Sequence, residues 1–246
     1  MELENEVLSE QIKAIFLEHK SRYGRRRIKH VLSERFNINI SGRRIGNLMD
    51  KQGLVARGKI KYRYRHGKSK ESVVYENLLK QNFQTNQKNK IWFGDITYIQ
   101  TGEGTLYLSV FLDLFNRKCV GYSLREHMRD TMVIESLKMA VEKEKPNPGL
   151  IIHTDQGSQY TCGSFHEYLR ERSFIASHSR RGNPYDNAVM ESFYKSLKIE
   201  ILPKHSSKTK EQAVLVICDY LENYYNQKRI HSALGYSTPA SFGKVH

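Results

Sequence analysis

The fold is decided by Leu150–Gly157, which reads LIIHTDQG, and by the segment that continues from it to Lys198. The short apolar run at its start predicts a buried strand that delivers Asp155 into a polar turn. Glu191 follows after 35 intervening residues, within a segment of helical spacing. Lys198 lies seven residues beyond Glu191, so the two side chains would share one face of that helix.

A third carboxylate, Asp95, ends an apolar and aromatic run that begins at Ile91. Carboxylate oxygens are ligands that Mg²⁺ or Mn²⁺ prefers, whereas zinc favours nitrogen and sulfur. Two such ions can hold the attacking and leaving oxygens of an in-line phosphoryl transfer. We therefore predict Asp95, Asp155 and Glu191 as catalytic, metal-binding residues with two ions per active site. Their convergence requires the first and fourth strands to be neighbours.

Two polar residues accompany Glu191 on its predicted helix face. Asn187 lies four residues earlier and would contact DNA or a metal-bound water, and Lys198 would bind a phosphate as a point charge. A solvated surface position is the alternative for each. Asp186 is predicted to cap the start of this helix, and His153 to be a hydrogen-bonded structural residue.

Positive charge is concentrated in the first third of the 246-residue chain, which has a net charge of +14. Residues 1–90 hold 21 Lys and Arg against nine Asp and Glu, whereas residues 91–246 hold 19 against 17. A clustered basic surface favours nucleic acid as the partner. The chain lacks a run of 18 apolar residues and its N-terminus is acidic, so we predict a cytoplasmic protein.

Three helical segments are predicted near the N-terminus, over 7–19, over 23–36 and from Ser41 to Gly53. Together they indicate a helix-turn-helix-like unit whose third helix would read DNA. A helical bundle that packs on a partner protein is the alternative. Basic residues crowd this unit, and we predict DNA contacts from Arg25, Arg26, Arg27, Arg43 and Arg44.

From Ile91 the pattern changes to a β-β-β-α-β-α-β-α order, which predicts an α/β (α+β) fold with a mixed five-stranded sheet flanked by helices. The predicted strands are 91–100, 105–112, 118–124, 150–153 and 174–176, and the predicted helices are 131–143, 164–171, one from Asp186 and 210–225. The expected domains are a helix-turn-helix-like domain (1–56), a basic linker (57–88), a catalytic core (89–205) and a C-terminal helix and tail (206–246).

Several ordered motifs resemble one family. They are Tyr23–Ile28, Trp92–Tyr98, Asp113–Arg117, His153–Tyr160, Gly182–Lys198 and Tyr225–His231. In these the chain is similar to bacterial insertion-sequence transposases with a retroviral-integrase-like, ribonuclease H-like Asp-Asp-Glu core. It looks most like the downstream product of the type encoded by two reading frames. Thr154 and Asn116 stand where Ser is commoner in the family.

The resemblance implies a polynucleotidyl transferase with endonuclease activity, which cleaves the ends of an insertion sequence and integrates them into target DNA. It also implies binding to the element's terminal repeats, a homo-oligomer on DNA, an upstream-frame product or a fusion with it as partner, and a nucleoid-associated bacterial location. Two alternatives stay open: an inactive DNA-binding regulator derived from a transposase, and another ribonuclease H-like nuclease.

The charge distribution gives a testable prediction. A fragment of residues 1–90 should bind duplex DNA by itself, because its basic side chains release counterions from the phosphates. A titration with labelled duplex should show affinity falling steeply between low and physiological salt. Binding that does not depend on salt, or no binding, would contradict the prediction.

Overall fold

The computed structural model describes residues 2–57, 74–201 and 209–245. Contacts divide the chain into two compact units, Met1–Lys61 and Tyr62–His246. Residues 58–73 of the predicted linker lie outside the described residues. Within the described ranges, no helix combines the length and apolarity needed to cross a membrane.

The N-terminal unit contains three helices, α1 (Glu2–Glu18), α2 (Arg25–Phe36) and α3 (Gly42–Lys51). Their apolar faces meet in a small core in which Ile12, Ile28 and Ile45 are fully buried. Helix α3 begins where the sequence predicts, because the Ser41 hydroxyl accepts a hydrogen bond from the Arg44 backbone N–H. The predicted helical N-terminal domain is confirmed.

The second unit is built on a five-stranded sheet. Its strands are β1 (Ile91–Thr101), β2 (Gly104–Asp113), β3 (Cys119–Arg125), β4 (Ile151–Thr154) and β5 (Ile175–His178). Their spatial order is β3-β2-β1-β4-β5, in which β1, β2 and β3 are antiparallel neighbours and β1, β4 and β5 run parallel. The predicted mixed sheet is confirmed, and strands one and four are neighbours as the predicted site requires.

The second unit also contains helices, of which the first three contact the sheet. They are α4 (Asp130–Glu144), α5 (Gly163–Glu171), α6 (Ala188–Ile201), α7 (Lys210–Asp219) and α8 (Pro239–Val245). A 3₁₀ turn, Pro184–Asn187, leads into α6, and a π-helical segment, Tyr220–Tyr225, continues α7. Helix α6 therefore begins two residues after the predicted start at Asp186, and α8 was not predicted.

Helix α4 packs closely on the sheet at Gly121 of β3. A β-carbon at this position would lie 2.7 Å from both the backbone nitrogen and the Cβ of Ala140. The Ser109 and Ser136 hydroxyls form a buried hydrogen bond of 2.7 Å between β2 and the same helix. The absence of a side chain at Gly121 thus sets how closely α4 approaches the sheet.

The C-terminal segment is attached to the core by buried polar contacts. The Asn226 side chain accepts from the Cys119 backbone N–H and donates to the Cys119 carbonyl, at 2.9 and 3.0 Å. Arg229 forms a buried ion pair with Glu200 of α6, at 2.9 Å, and the Tyr220 hydroxyl donates to the same carboxylate. The C-terminal residues therefore complete the packing around α6.

Residues 74–88, the second half of the predicted linker, are also attached to the core. Leu79 is buried, and the ring of Phe83 packs edge-on against Phe93 of β1, with ring centroids 5.7 Å apart. The Tyr75 backbone N–H donates to His178 of β5. The sequence assigned these residues to the basic linker, yet their side-chain amides and main chain form specific hydrogen bonds.

The close approach at Gly121 generates a prediction about stability. Gly121→Ala should lower the free energy of unfolding by about 1–3 kcal/mol, because the methyl group collides with the α4 backbone. Gly163→Ala is the control, since a β-carbon there meets nothing within 4 Å. Urea unfolding of both variants measures the difference, and equal stabilities would show that α4 can shift without cost.

Candidate active site

Asp95 lies in β1, and Asp155 directly follows the last residue of the neighbouring parallel strand β4. Gly94 of β1 pairs with Thr154 of β4, and each carboxylate belongs to the next residue along its strand direction. Asp95 is 2% exposed and Asp155 is half-buried. The Gly157 backbone N–H donates to Asp155 Oδ1 at 2.9 Å, so the turn after β4 fixes this carboxylate.

Helix α6 and the turn before it dock against β1 at Asp95. The Asn187 amide donates to Asp95 Oδ2 at 3.1 Å, and the Tyr194 hydroxyl donates to the Asp95 backbone carbonyl at 2.6 Å. One further turn along, Lys198 Nζ lies 4.6 Å from the centroid of the Tyr98 ring on β1. Asn187 of the turn and two side chains of α6 thus contact the first strand.

Glu191 lies on this same side, because the successive intervals are four residues from Asn187 to Glu191, three from Glu191 to Tyr194 and four from Tyr194 to Lys198. Its side chain is exposed, in contrast to the buried Asn187 and Lys198. The helix therefore presents the third predicted carboxylate to solvent.

The three predicted carboxylates do not form a compact cluster. Within residues 2–57, 74–201 and 209–245, no group of three His, Cys, Asp or Glu side chains is arranged so that it could hold a metal ion. The structure thus places Asp95 in β1, Asp155 directly after the neighbouring β4, and Glu191 on the helix docked at Asp95. Their role as ligands stays a prediction.

Burial alters two ionisable groups near the carboxylates. It lowers the pKa of Lys198 to about 8, an effect that the nearby Asp95 carboxylate opposes. Burial also lowers the pKa of His153 to about 4, so this side chain is neutral near pH 7. Lys198 is 6% exposed and packs on Tyr98, which is a more enclosed position than the sequence indicated.

His153 has a defined hydrogen-bonding role, as predicted. Its Nε2 lies 3.2 Å from the Asp186 carbonyl, which can only accept, so Nε2 carries the proton. Its Nδ1 then accepts from the Ser177 hydroxyl at 2.9 Å. This fully buried imidazole joins β4, β5 and the turn before α6.

Asp186 is not the helix cap that the sequence suggested. The turn is instead capped by the Asn183 side chain, which accepts from the Tyr185 backbone N–H. The buried Asp186 carboxylate binds Arg180, and this guanidinium holds the pKa of Asp186 well below its usual range. Tyr194 was also missed, although its position three residues after Glu191 was a usable signal.

The five arginines predicted to bind DNA fall into two groups. Arg25, Arg26 and Arg43 are exposed. Arg27 lies over the Tyr23 ring, 5.2 Å from its centroid, and Arg44 is bonded to Asn5 and Glu4 of α1. The first group can reach a phosphate directly, whereas the second is engaged in holding the helices together.

Known protein families match both units of the chain. An HTH-like domain matches residues 2–64, and an integrase core domain matches residues 85–184. A second integrase core domain family matches residues 162–239, which include α6 and most of the C-terminal segment.

Solved structures share the fold. The catalytic core domain of HTLV-2 integrase, determined in complex with magnesium, aligns with a TM-score of 0.52 at 18% identity, over 65% of this chain and 99% of that one. The simian T-cell lymphotropic virus intasome aligns with a TM-score of 0.54 at 15% identity, over 95% of this chain and 74% of that one. The second unit therefore has the integrase catalytic-core fold.

Curated relatives narrow the class further. The transposase for insertion sequence element IS904 of Lactococcus lactis is 48% identical over all of this chain and 96% of its own length. Transposase InsF for insertion sequence IS3A of Escherichia coli is 34% identical over 93% of this chain and 79% of its own length. The chain belongs to the IS3 family of insertion-sequence transposases and is a polynucleotidyl transferase.

The contact between Tyr194 and Asp95 generates a prediction. Tyr194→Phe should destabilise the protein by about 1–3 kcal/mol, because a buried Asp95 carbonyl loses a donor. Tyr185→Phe is the control, since Tyr185 is 72% exposed. Thermal or urea unfolding measures both. Equal stability of the two variants would show that the hydroxyl does not fix α6 on β1.

Proposed function

We propose that Asp95, Asp155 and Glu191 are the catalytic, metal-binding residues with which this transposase cleaves and joins DNA strands. The observation that carries the proposal is the junction of β1, β4 and α6. There Asp95 lies in β1, Asp155 directly follows the parallel neighbour β4, and the turn that leads into the helix bearing Glu191 is bonded to Asp95 through Asn187.

The residues present fit a divalent cation of the magnesium type. Asp95, Asp155 and Glu191 offer only oxygen donors, which Mg²⁺ and Mn²⁺ prefer. Asn187 Oδ1 is buried and has no hydrogen-bond partner within the described part of the chain, so it can accept from an ion-bound water. Two ions bound by the carboxylates would activate the attacking water or DNA 3′-hydroxyl and stabilise the leaving oxygen.

The other side chains position this apparatus. Asn187 and the Ile96 backbone N–H each donate to one oxygen of Asp95 and so fix its orientation. Gly157 does the same for Asp155. The Lys198 ammonium offsets part of the negative charge at Asp95 and, with Asn187, is proposed to face the DNA backbone.

The N-terminal unit would supply much of the affinity for DNA. Exposed Arg25, Arg26 and Arg43 are proposed to contact phosphates, with Arg27 and Arg44 supporting α2 and α3 as well as adding positive charge. The terminal repeats of the element and the target DNA are the proposed ligands.

Assembly and location form a further part of the proposal. The transposase would act as a homo-oligomer on DNA, together with the upstream-frame product or as a fusion with it. It would be a cytoplasmic bacterial protein that associates with the nucleoid. The proposed domains are 1–56, 57–88, 89–205 and 206–246. Contacts of residues 74–88 attach this part of the linker to the core.

A strand-transfer assay with labelled element-end DNA tests the catalytic assignment. The wild-type protein should cleave or join DNA with Mg²⁺ or Mn²⁺ and not with EDTA. Glu191→Gln should lower the rate at least about 100-fold, because it removes a negative ligand while leaving DNA binding intact. Glu167→Gln, an exposed position on α5, is the matched control and should retain the wild-type rate.

Full activity of Glu191→Gln would refute the assignment of this residue. If wild type binds the DNA but neither cleaves nor joins it, the same assay with the upstream fusion follows. Activity of the fusion that Glu191→Gln abolishes would support the proposal, and continued inactivity would refute it.

A further inference from the structure

The Asp186 carboxylate collects an unusual number of hydrogen bonds for a residue outside the predicted triad. Its Oδ2 accepts from Asn77 Nδ2 at 2.8 Å, and from the backbone N–H and Nε of Arg180 at 2.9 Å each. Its Oδ1 accepts from Gln81 Nε2 at 3.0 Å and from Arg180 Nη2 at 2.9 Å. The side chain is fully buried, so these five donors replace its water shell.

Two of the donors come from residues 74–82, which we call the strap. The strap is fixed to β5, because the Tyr75 backbone N–H donates to His178 Nδ1 and the Leu78 backbone N–H donates to the Ser177 hydroxyl, both at 3.1 Å. Asn77 Oδ1 accepts from the backbone N–H groups of Leu79 and Lys80. Its Nδ2 is therefore aimed at Asp186.

The strap reaches Asp186 by a second route through the sheet. The Ser177 hydroxyl, which accepts from Leu78, donates to His153 Nδ1. His153 Nε2 in turn donates to the Asp186 backbone carbonyl at 3.2 Å. Both the side chain and the main chain of Asp186 are thus held by groups connected to the strap.

Asp186 lies in the turn that begins the helix bearing Glu191. The next residue, Asn187, donates to Asp95, and Glu191 lies one helical turn beyond that. His153 is two residues before Asp155 on β4. A displacement of the Asp186 peptide would therefore move Asn187 and Glu191 relative to both aspartates.

We propose that Asp186 is a positioning residue for catalysis, and that Asn77 and Gln81 of the strap hold it in place. The inference rests on the proposed function, since it requires Glu191 to act at this site. It also assigns a role to a segment that lies before residue 89, where the sequence placed the start of the core. A core begun there would lack both amide donors.

A purely structural role for the same contacts makes a different prediction. A buried carboxylate that only stabilises the fold would, when altered, lower the melting temperature and leave the reaction unchanged at temperatures where the protein is folded. If Asp186 positions the helix, altering it lowers the rate of the chemical step in the folded protein. The same alteration also loosens the segment that joins Asp186 to Glu191.

The test uses full-length variants. Asp186→Asn removes the charge and turns one acceptor into a donor, and Gln81→Met removes one amide donor at nearly constant volume. The double variant Asp186→Asn with Gln81→Glu reverses the donor and acceptor and keeps a carboxylate near Arg180. Lys80→Gln is the control on the strap, because its exposed ammonium pairs with Glu76.

The single-turnover rate of strand transfer at saturating DNA is measured well below the melting temperature. We expect a loss of about 10-fold for Gln81→Met and about 100-fold for Asp186→Asn, with DNA affinity within about twofold of wild type. The double variant should recover about 10-fold over Asp186→Asn, and Lys80→Gln should match wild type.

Amide hydrogen exchange provides a readout that does not depend on activity. Exchange over residues 184–195 should accelerate about 10-fold in Gln81→Met and should not change in Lys80→Gln. The inference is overturned if Gln81→Met and Asp186→Asn keep wild-type rates and exchange while Glu191→Gln is inactive. Activity of Glu191→Gln would instead overturn the proposed function.

Discussion

The parallel pairing of β1 with β4 is the constraint on which the proposed active site depends. It joins two strands that lie about 60 residues apart in the sequence and sets Gly94 opposite Thr154. Because side chains alternate along each strand, a shift of one residue would turn one carboxylate to the opposite face. Helices pack around these strands. Helix α4 packs on β2 and β3, and α6 with the turn before it is bonded to β1 at Asp95.

Much of this architecture follows from local patterns in the sequence. Aromatic and β-branched runs predicted the strands, and helical spacing predicted that Asn187, Glu191 and Lys198 share one side of α6 and the turn before it. The neighbouring position of the first and fourth strands was required by the predicted site, and the sheet has it. These features were accessible because periodicity and spacing report directly on which residues share a face.

The features that escaped prediction are long-range polar contacts. The position of Asp186 before a helical segment predicted a helix cap, yet its amide partners Asn77 and Gln81 lie 109 and 105 residues away in the sequence. Hydrophobic periodicity does not register such pairs. The same reason explains why residues 74–88 were assigned to the basic linker, and why Lys198 was expected to be more exposed than its packing on Tyr98 allows.

The buried pair of Glu200 and Arg229 has a consequence for the order in which the protein folds during synthesis. The N-terminal unit is complete early and can fold while the ribosome still holds the remaining chain. Glu200, at the far end of α6, would be a buried charge without its counterion until Arg229 has emerged. The N-terminal unit of the nascent transposase can therefore form before the buried ion pair fixes the helix that carries Glu191.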